Sequence, residues 1–101
     1  MKKVYVTLTG TNHYYGTSCL EKEMKVHLEK DPENRIDKEA IKVKLPGLGK
    51  IGYIANSVYT VAEDCMSAGR LYDKIKEEAI GKVLYIFGNS AILEVETIGN
   101  I

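Results

Sequence analysis

The chain has 101 residues, 45% of them hydrophobic and 28% charged, a length and balance that fit one soluble domain and exclude two independent cores. Fourteen Lys and Arg offset fourteen Asp and Glu, which excludes a polybasic arm or an acidic tail and argues against coating nucleic acid by bulk charge. The normal apolar fraction, with no long charge runs, also excludes intrinsic disorder. Seven tyrosines stand against one phenylalanine and no tryptophan, so most of the aromatic surface carries a hydroxyl.

Val4-Tyr5-Val6-Thr7-Leu8-Thr9 alternates apolar and hydroxyl-bearing side chains, the period of a half-buried strand. Gly10 to Gly16 breaks that period with a loop carrying Tyr14 and Tyr15, and Leu20 to Glu23 reads as a helical turn. Met24, Val26 and Leu28 alternate with Lys25, His27 and Glu29 to give a second strand, which Asp31-Pro32-Glu33-Asn34 stops. A third strand over Ile41, Val43 and Leu45 turns at Pro46-Gly47-Leu48-Gly49 into Lys50-Ile51-Gly52-Tyr53-Ile54, predicting a hairpin. Asn56 to Glu63 has no clear period. Ala68, Leu71, Tyr72 and Ile75 fall at helical spacing, with Gly81 expected to close that helix. Val83 to Phe87 and Ile92 to Val95 form a last strand pair around Gly88-Asn89-Ser90. The sum is a mainly β (α+β) chain of about six short strands and one or two short helices, expected to form a small β-barrel over residues 1–101 as a single domain.

Cys19 and Cys65 belong to no C-x-x-C pair, and with His13 and His27 they make no zinc-ligand cluster. Both thiols are expected to be reduced, and no cofactor is expected. Met1-Lys2-Lys3 lacks the apolar stretch of an export signal, so a cytoplasmic location is expected. A nucleophile elbow, a phosphate-cradling glycine loop and H-E-x-x-H are all absent from the sequence, so no enzymatic activity is expected. Asp31, Glu33, Asp37 and Glu39 faintly resemble a calcium loop, but Ile36 stands where the sharp turn needs Gly, and a solvated polar loop is the better reading.

Aromatic and basic placement is more informative. Tyr14 and Tyr15 sit in a loop between glycines, and Tyr53 follows Gly52 inside a strand, where Gly marks close approach of a ligand or backbone. Lys42, Lys44 and Lys50 lie in a stretch from Ala40 to Ala62 that has no acid. Tyrosines beside lysines on a small barrel suit unpaired nucleic acid, with bases stacked on rings and ammonium groups on phosphates. Edge tyrosines and solvent-facing lysines account equally well for the same residues.

The segment Val26-x-Leu28-x-Lys30-Asp31-Pro32-x-Asn34-x-x-Asp37-x-x-Ala40-Ile41-x-Val43, followed by Ile51-Gly52-Tyr53-Ile54, resembles a HIRAN domain. That module is found at the N-terminus of certain Snf-type helicase-like ubiquitin ligases and also stands alone in bacteria; the match extends more loosely to Phe87-Gly88. The resemblance implies a six-stranded barrel related to the oligonucleotide-binding fold and recognition of the 3′ end of single-stranded DNA. It implies that Tyr14 stacks on the terminal base and that Asp37 accepts the sugar hydroxyl. Tyr53 then lies near the phosphate, and Phe87 forms a second wall. His13, Tyr15, Arg35, Lys50 and Asn56 complete the expected nucleic-acid-binding set. Departures from the family pattern are His13 for Arg, Arg35 for Pro, Ile36 for Tyr and Asn56 for a frequent Lys. The first removes a permanent charge, because an ordinary imidazole is mostly neutral at pH 7. The leading expectation is therefore a non-enzymatic binder of single-stranded DNA ends in repair or replication, alongside a separately encoded helicase, nuclease or other protein. The alternative is a protein-interaction module with a decayed pocket, anchored by Leu48, Tyr59 and the Leu71-Tyr72 helix.

Overall fold

A computed structural model describes residues 2–98. Six strands, β1 (Lys3–Thr9), β2 (Lys25–Lys30), β3 (Ile41–Leu45), β4 (Gly49–Ile54), β5 (Glu78–Phe87) and β6 (Ser90–Glu96), close into a barrel in the order β1-β4-β3-β2-β5-β6. Every neighbouring pair is antiparallel, the closing pair β1 and β6 included. The period-two pattern does what it should. Val6 and Leu8 of β1, Val26 and Leu28 of β2, Ile41 and Val43 of β3, and Leu93 and Val95 of β6 all point inward and are fully buried. Closure removes the sheet edges, and the outer face carries polar side chains together with exposed Tyr5, Ile80 and Tyr85. Among the described residues, no helix is long and apolar enough to cross a membrane.

Gly52 explains how β4 meets β1. A Cβ there would lie 2.6 Å from the Thr9 carbonyl oxygen and 2.8 Å from Leu8 Cδ1. The close approach expected at this glycine is therefore that of β1, and not of a ligand. The seam is short, with Leu8 opposite Ile54 and Thr9 opposite Tyr53.

Two expectations need correction. The helix α1 spans only Ala68–Tyr72, started by Ser67, whose hydroxyl accepts the Arg70 N–H. It does not run to Gly81, because long-range bonds take the chain after Tyr72. Lys30 Nζ donates to the Ile75 carbonyl at 2.9 Å, Lys30 N–H bonds the Glu77 carbonyl, and Ala79 pairs with Leu28. Gly81 thus lies inside β5, facing Val26. The segment Leu20 to Glu23 is a single turn and not a helix; Met24 N–H bonds the Glu21 carbonyl, and Glu23 takes a positive φ of 73°.

Candidate nucleic-acid interface

The loop between β2 and β3 places Asp37. Asn34 Oδ1 accepts the backbone N–H groups of Ile36 and Asp37, each at 3.0 Å, so the Asn side chain folds the loop around itself. Asp31 N–H bonds the Ala40 carbonyl and closes the loop. Within it, Asp37 Oδ1 accepts the Glu39 N–H at 2.9 Å. The other oxygen, Oδ2, accepts from Asn56 Nδ2 at 2.8 Å, and Asn56 Oδ1 in turn accepts the Gly69 N–H at 2.7 Å. A Cβ at residue 69 would lie 2.6 Å from Glu39 Oε1, the end of an exposed side chain, and 3.1 Å from Asn56 Oδ1.

The other side of the site is built on β4. Lys50 Nζ donates to the Tyr53 hydroxyl at 2.8 Å and lies 4.9 Å from the Tyr53 ring centre and 5.4 Å from that of Tyr14. Asn34 Nδ2 reaches the same hydroxyl at 3.5 Å, the long limit of a hydrogen bond, and Asp31 at 3.3 Å. The Tyr53 hydroxyl holds the Lys50 ammonium above its ordinary pKa, burial opposes this, and Tyr14 adds to the upward shift. Lys50 is therefore a fixed cation beside two rings. A connected polar row results, running from Lys50 through Tyr53 and Asn34 to Asp37 and Asn56. It borders a cavity of about 470 Å³, which also takes in Thr9, Ser57, Thr60 and the exposed Ile36.

Of the residues expected at the site, Asp37, Tyr53 and Asn56 line this cavity together, and Lys50 with Tyr14 flanks it through Tyr53. Tyr15 is exposed, its hydroxyl donating to the Leu48 carbonyl at 3.4 Å. Phe87 ends β5 at a hairpin tip, half exposed and outside the cavity lining. His13 and Arg35 are exposed and do not line the cavity either. The local positive stretch is smaller than its sequence suggests. Lys42 and Lys44 both pair with Glu29 of β2, at 3.1 and 3.3 Å, and those two lysines, Lys42 first, draw the Glu29 pKa below its ordinary value.

The alternative anchors divide. Tyr59 is 93% exposed and Leu48 is also exposed, but Leu71 is fully buried in the core and Tyr72 is covered by Lys30, 4.5 Å from its ring. The Leu71-Tyr72 helix therefore offers no anchor through Leu71. Cys19 and Cys65 are free and half-buried, and among the described residues no cluster of three His, Cys, Asp or Glu could hold a metal ion. Sequence reasoning took Asn34 for a turn residue only and gave no sign of Gly69. The Asn34 role was recoverable, since an Asn three residues before an Asp can fold the loop that presents it.

Residues 1–80 match the HIRAN domain family. The crystal structure of the HIRAN domain of human HLTF is similar, with 21% sequence identity and a TM-score of 0.67 over 92% of this chain and 72% of that one. At that identity the likeness speaks for the fold. No curated protein matches the chain.

Proposed function

The chain belongs to the HIRAN domain family, known generally as DNA-binding modules, and from that premise we propose that it binds the 3′ end of single-stranded DNA without catalysis. The observation that supports this reading best is the polar row from Lys50 to Asn56 along one cavity. Asp37 has both oxygens oriented by neutral donors, and a carboxylate retains lone pairs beyond those two bonds. A terminal sugar hydroxyl donates to it. The faces of Tyr53 and Tyr14 give a base its stacking surface, and Lys50 meets the adjoining phosphate. Because the donors are already fixed before binding, little ordering entropy opposes the end's entry.

His13, at the end of a 3-10 turn over Thr11–His13, and Arg35 are exposed outside the cavity lining, and Arg35 adds at most screened attraction. In a repair or replication setting such a module would deliver a strand end to a separately encoded helicase or nuclease. A second reading, docking of a protein partner, draws on the exposure of Leu48 and of Tyr59 with its neighbour Val58.

Fluorescence anisotropy separates the two. A short strand with a free 3′-hydroxyl is expected to bind at least roughly tenfold tighter than the same strand ending in a 3′-phosphate, because a phosphate next to the Asp37 carboxylate is repelled. Asp37→Asn should erase the preference, with a fall of only a few degrees in the melting temperature, since one of the two bonds accepted by the carboxylate is lost. A shallow salt slope of about two or three accompanies end binding, since few phosphates are touched. Equal binding of both strands would refute end recognition, and no binding of either would turn the search to protein partners.

A further inference from the structure

The outer face of β5 carries a second cluster that the end pocket does not use. Tyr85, Ile86 and Phe87 are consecutive and all exposed, Tyr85 at 60% and Phe87 at 47%. Ile86 pairs with the buried Ala91, whereas Tyr85 pairs with Ile92 and Phe87 with Ser90, so Tyr85 and Phe87 share the outward side. They lie two strand residues apart, roughly 6.6 Å. The register shifts between Val83 and Tyr85, a bulge of the kind that re-aims a side chain.

A cation accompanies these rings. Lys22 Nζ lies 5.4 Å from the centre of the Tyr85 ring. The backbone just after Lys22 is anchored to β5 at Val83: Glu23 N–H bonds the Val83 carbonyl at 2.7 Å and Val83 N–H bonds the Met24 carbonyl at 2.9 Å.

The cluster is also continuous with the end pocket. Thr11 Oγ1 donates to the Asn89 carbonyl and Thr17 Oγ1 to the Gly88 carbonyl, tying the loop that carries Tyr14 and Tyr15 to the tip of the β5–β6 hairpin. The order around this end of the barrel is thus Lys50, Tyr14, the tethered hairpin tip with Phe87, then Tyr85 and Lys22. Rings in the middle and an ammonium at each end match the needs of a single strand, whose bases stack while its phosphates seek cations.

We propose that Tyr85 and Lys22 form a second subsite of the interface, which holds the strand a few nucleotides in from its bound end. Tyr85 stacks on a base and Lys22 meets a phosphate. This rests on the end-binding reading and extends it from a pocket to a path.

The test compares a trinucleotide with a strand of about ten nucleotides, both with free 3′-hydroxyls, on the wild type and on Tyr85→Ala, Tyr85→Phe and Lys22→Gln. The wild type should bind the longer strand roughly tenfold tighter than the trinucleotide. Tyr85→Ala and Lys22→Gln should remove most of that gain and leave trinucleotide affinity unchanged, and Tyr85→Phe should keep it. Lys22→Gln should also lower the salt slope for the longer strand by about one. A length gain that survives both substitutions overturns the subsite and leaves the end pocket standing. Trinucleotide binding that ignores Asp37→Asn overturns the end-binding reading instead. No binding at either length overturns both.

Discussion

Two grooves of nearly equal size, about 470 and about 450 Å³, lie on different parts of this barrel. The second is lined by Lys3, Lys25, Lys76 and Lys82 together with Glu78, Glu94 and Glu96. Part of that charge is paired: Glu94 faces Lys3 at 3.7 Å and Lys82 at 3.8 Å, and Lys82 also reaches Glu23 at 3.3 Å, whereas among the described residues Lys25, Lys76, Glu78 and Glu96 form no ion pair. At the first groove, among the described residues, neither Asp37 in its lining nor Lys50 at its flank has an ion-pair partner. The cation is held by tyrosine hydroxyl and rings, the anion by an amide and a backbone N–H. Volume does not separate the two grooves; the surroundings of Lys50 and Asp37, set against those of Lys82 and Glu94, do. A charge held in place by neutral groups keeps its field for a ligand, whereas a charge met by its opposite must first break that pair.

The largest expected effect breaks the frame that carries the first groove. Gly52→Ala puts a methyl into the Thr9 carbonyl and Leu8, and the barrel seam is too short to yield without loss. Destabilisation of about 2–3 kcal/mol is expected, lowering the melting temperature by roughly 10–20 °C. An unchanged melt would show that β1 and β4 can separate freely, and that Tyr53 is not fixed by the seam.

Next in size is a matched pair of substitutions. Lys50→Gln should weaken single-strand binding by roughly ten- to a hundredfold, the range for losing a charge-assisted contact, and lower the salt slope by about one. Lys82→Gln should change neither. Equal losses from both would erase the distinction between the grooves. Acidity supplies a further check. Because the Lys50 pKa is raised, its charge is complete below the ordinary lysine value and disappears only as pH climbs through the raised one. Its share of binding should therefore stay flat from about pH 6 to about pH 9, and a decline in that share within the window would contradict the Tyr53 contact.

Much of this frame was legible in the sequence, and the losses have physical causes. Alternation at Val4 to Thr9 and Ile41 to Leu45, with turn residues at Pro46-Gly47 and Gly88-Asn89, gave strands and hairpins because those signals are local. The helix drawn out to Gly81 failed because what ends it comes from far away: Lys30 donates across 45 residues to Ile75. Lys42 and Lys44 looked like free cations for the same reason. Their partner Glu29 becomes a neighbour only once β2 and β3 are in register. At the site, Asp37 and Tyr53 could be named from the resemblance, but the bond from Asn56 to Asp37 and its anchorage on Gly69 depend on how α1 packs.

That anchorage gives a smaller effect. Asn56→Ala leaves one Asp37 oxygen without its amide and the Gly69 N–H without its acceptor. Both bonds are exposed, so water replaces them in part, and a stability loss of about 1 kcal/mol is expected. Binding should fall by several-fold as the carboxylate loses its fixed orientation. A drop in the melting temperature without any loss of binding would mean that Asn56 serves only the fold.

The smallest effect concerns the boundary between the two kinds of region. Glu29 draws Lys42 and Lys44 together, and Lys42 stands directly opposite Tyr53 in the β3–β4 register. Glu29→Gln would leave two unpaired cations beside the first groove, converting a paired surface into one whose charges remain available. Single-strand affinity should rise by roughly two- to fivefold, with a steeper salt slope, and the preference for a free 3′-hydroxyl should weaken because the new contacts read only phosphate. The same substitution alters the acid limb in a defined direction. The Glu29 pKa is lowered by Lys42 and then Lys44, so its contribution to stability is present above the unfolded value and is lost as pH falls through the lowered one. Glu29→Gln should flatten that part of the profile below about pH 4.5, while an unaltered acid limb together with unaltered affinity would mean that these ion pairs do not neutralise the lysines in solution.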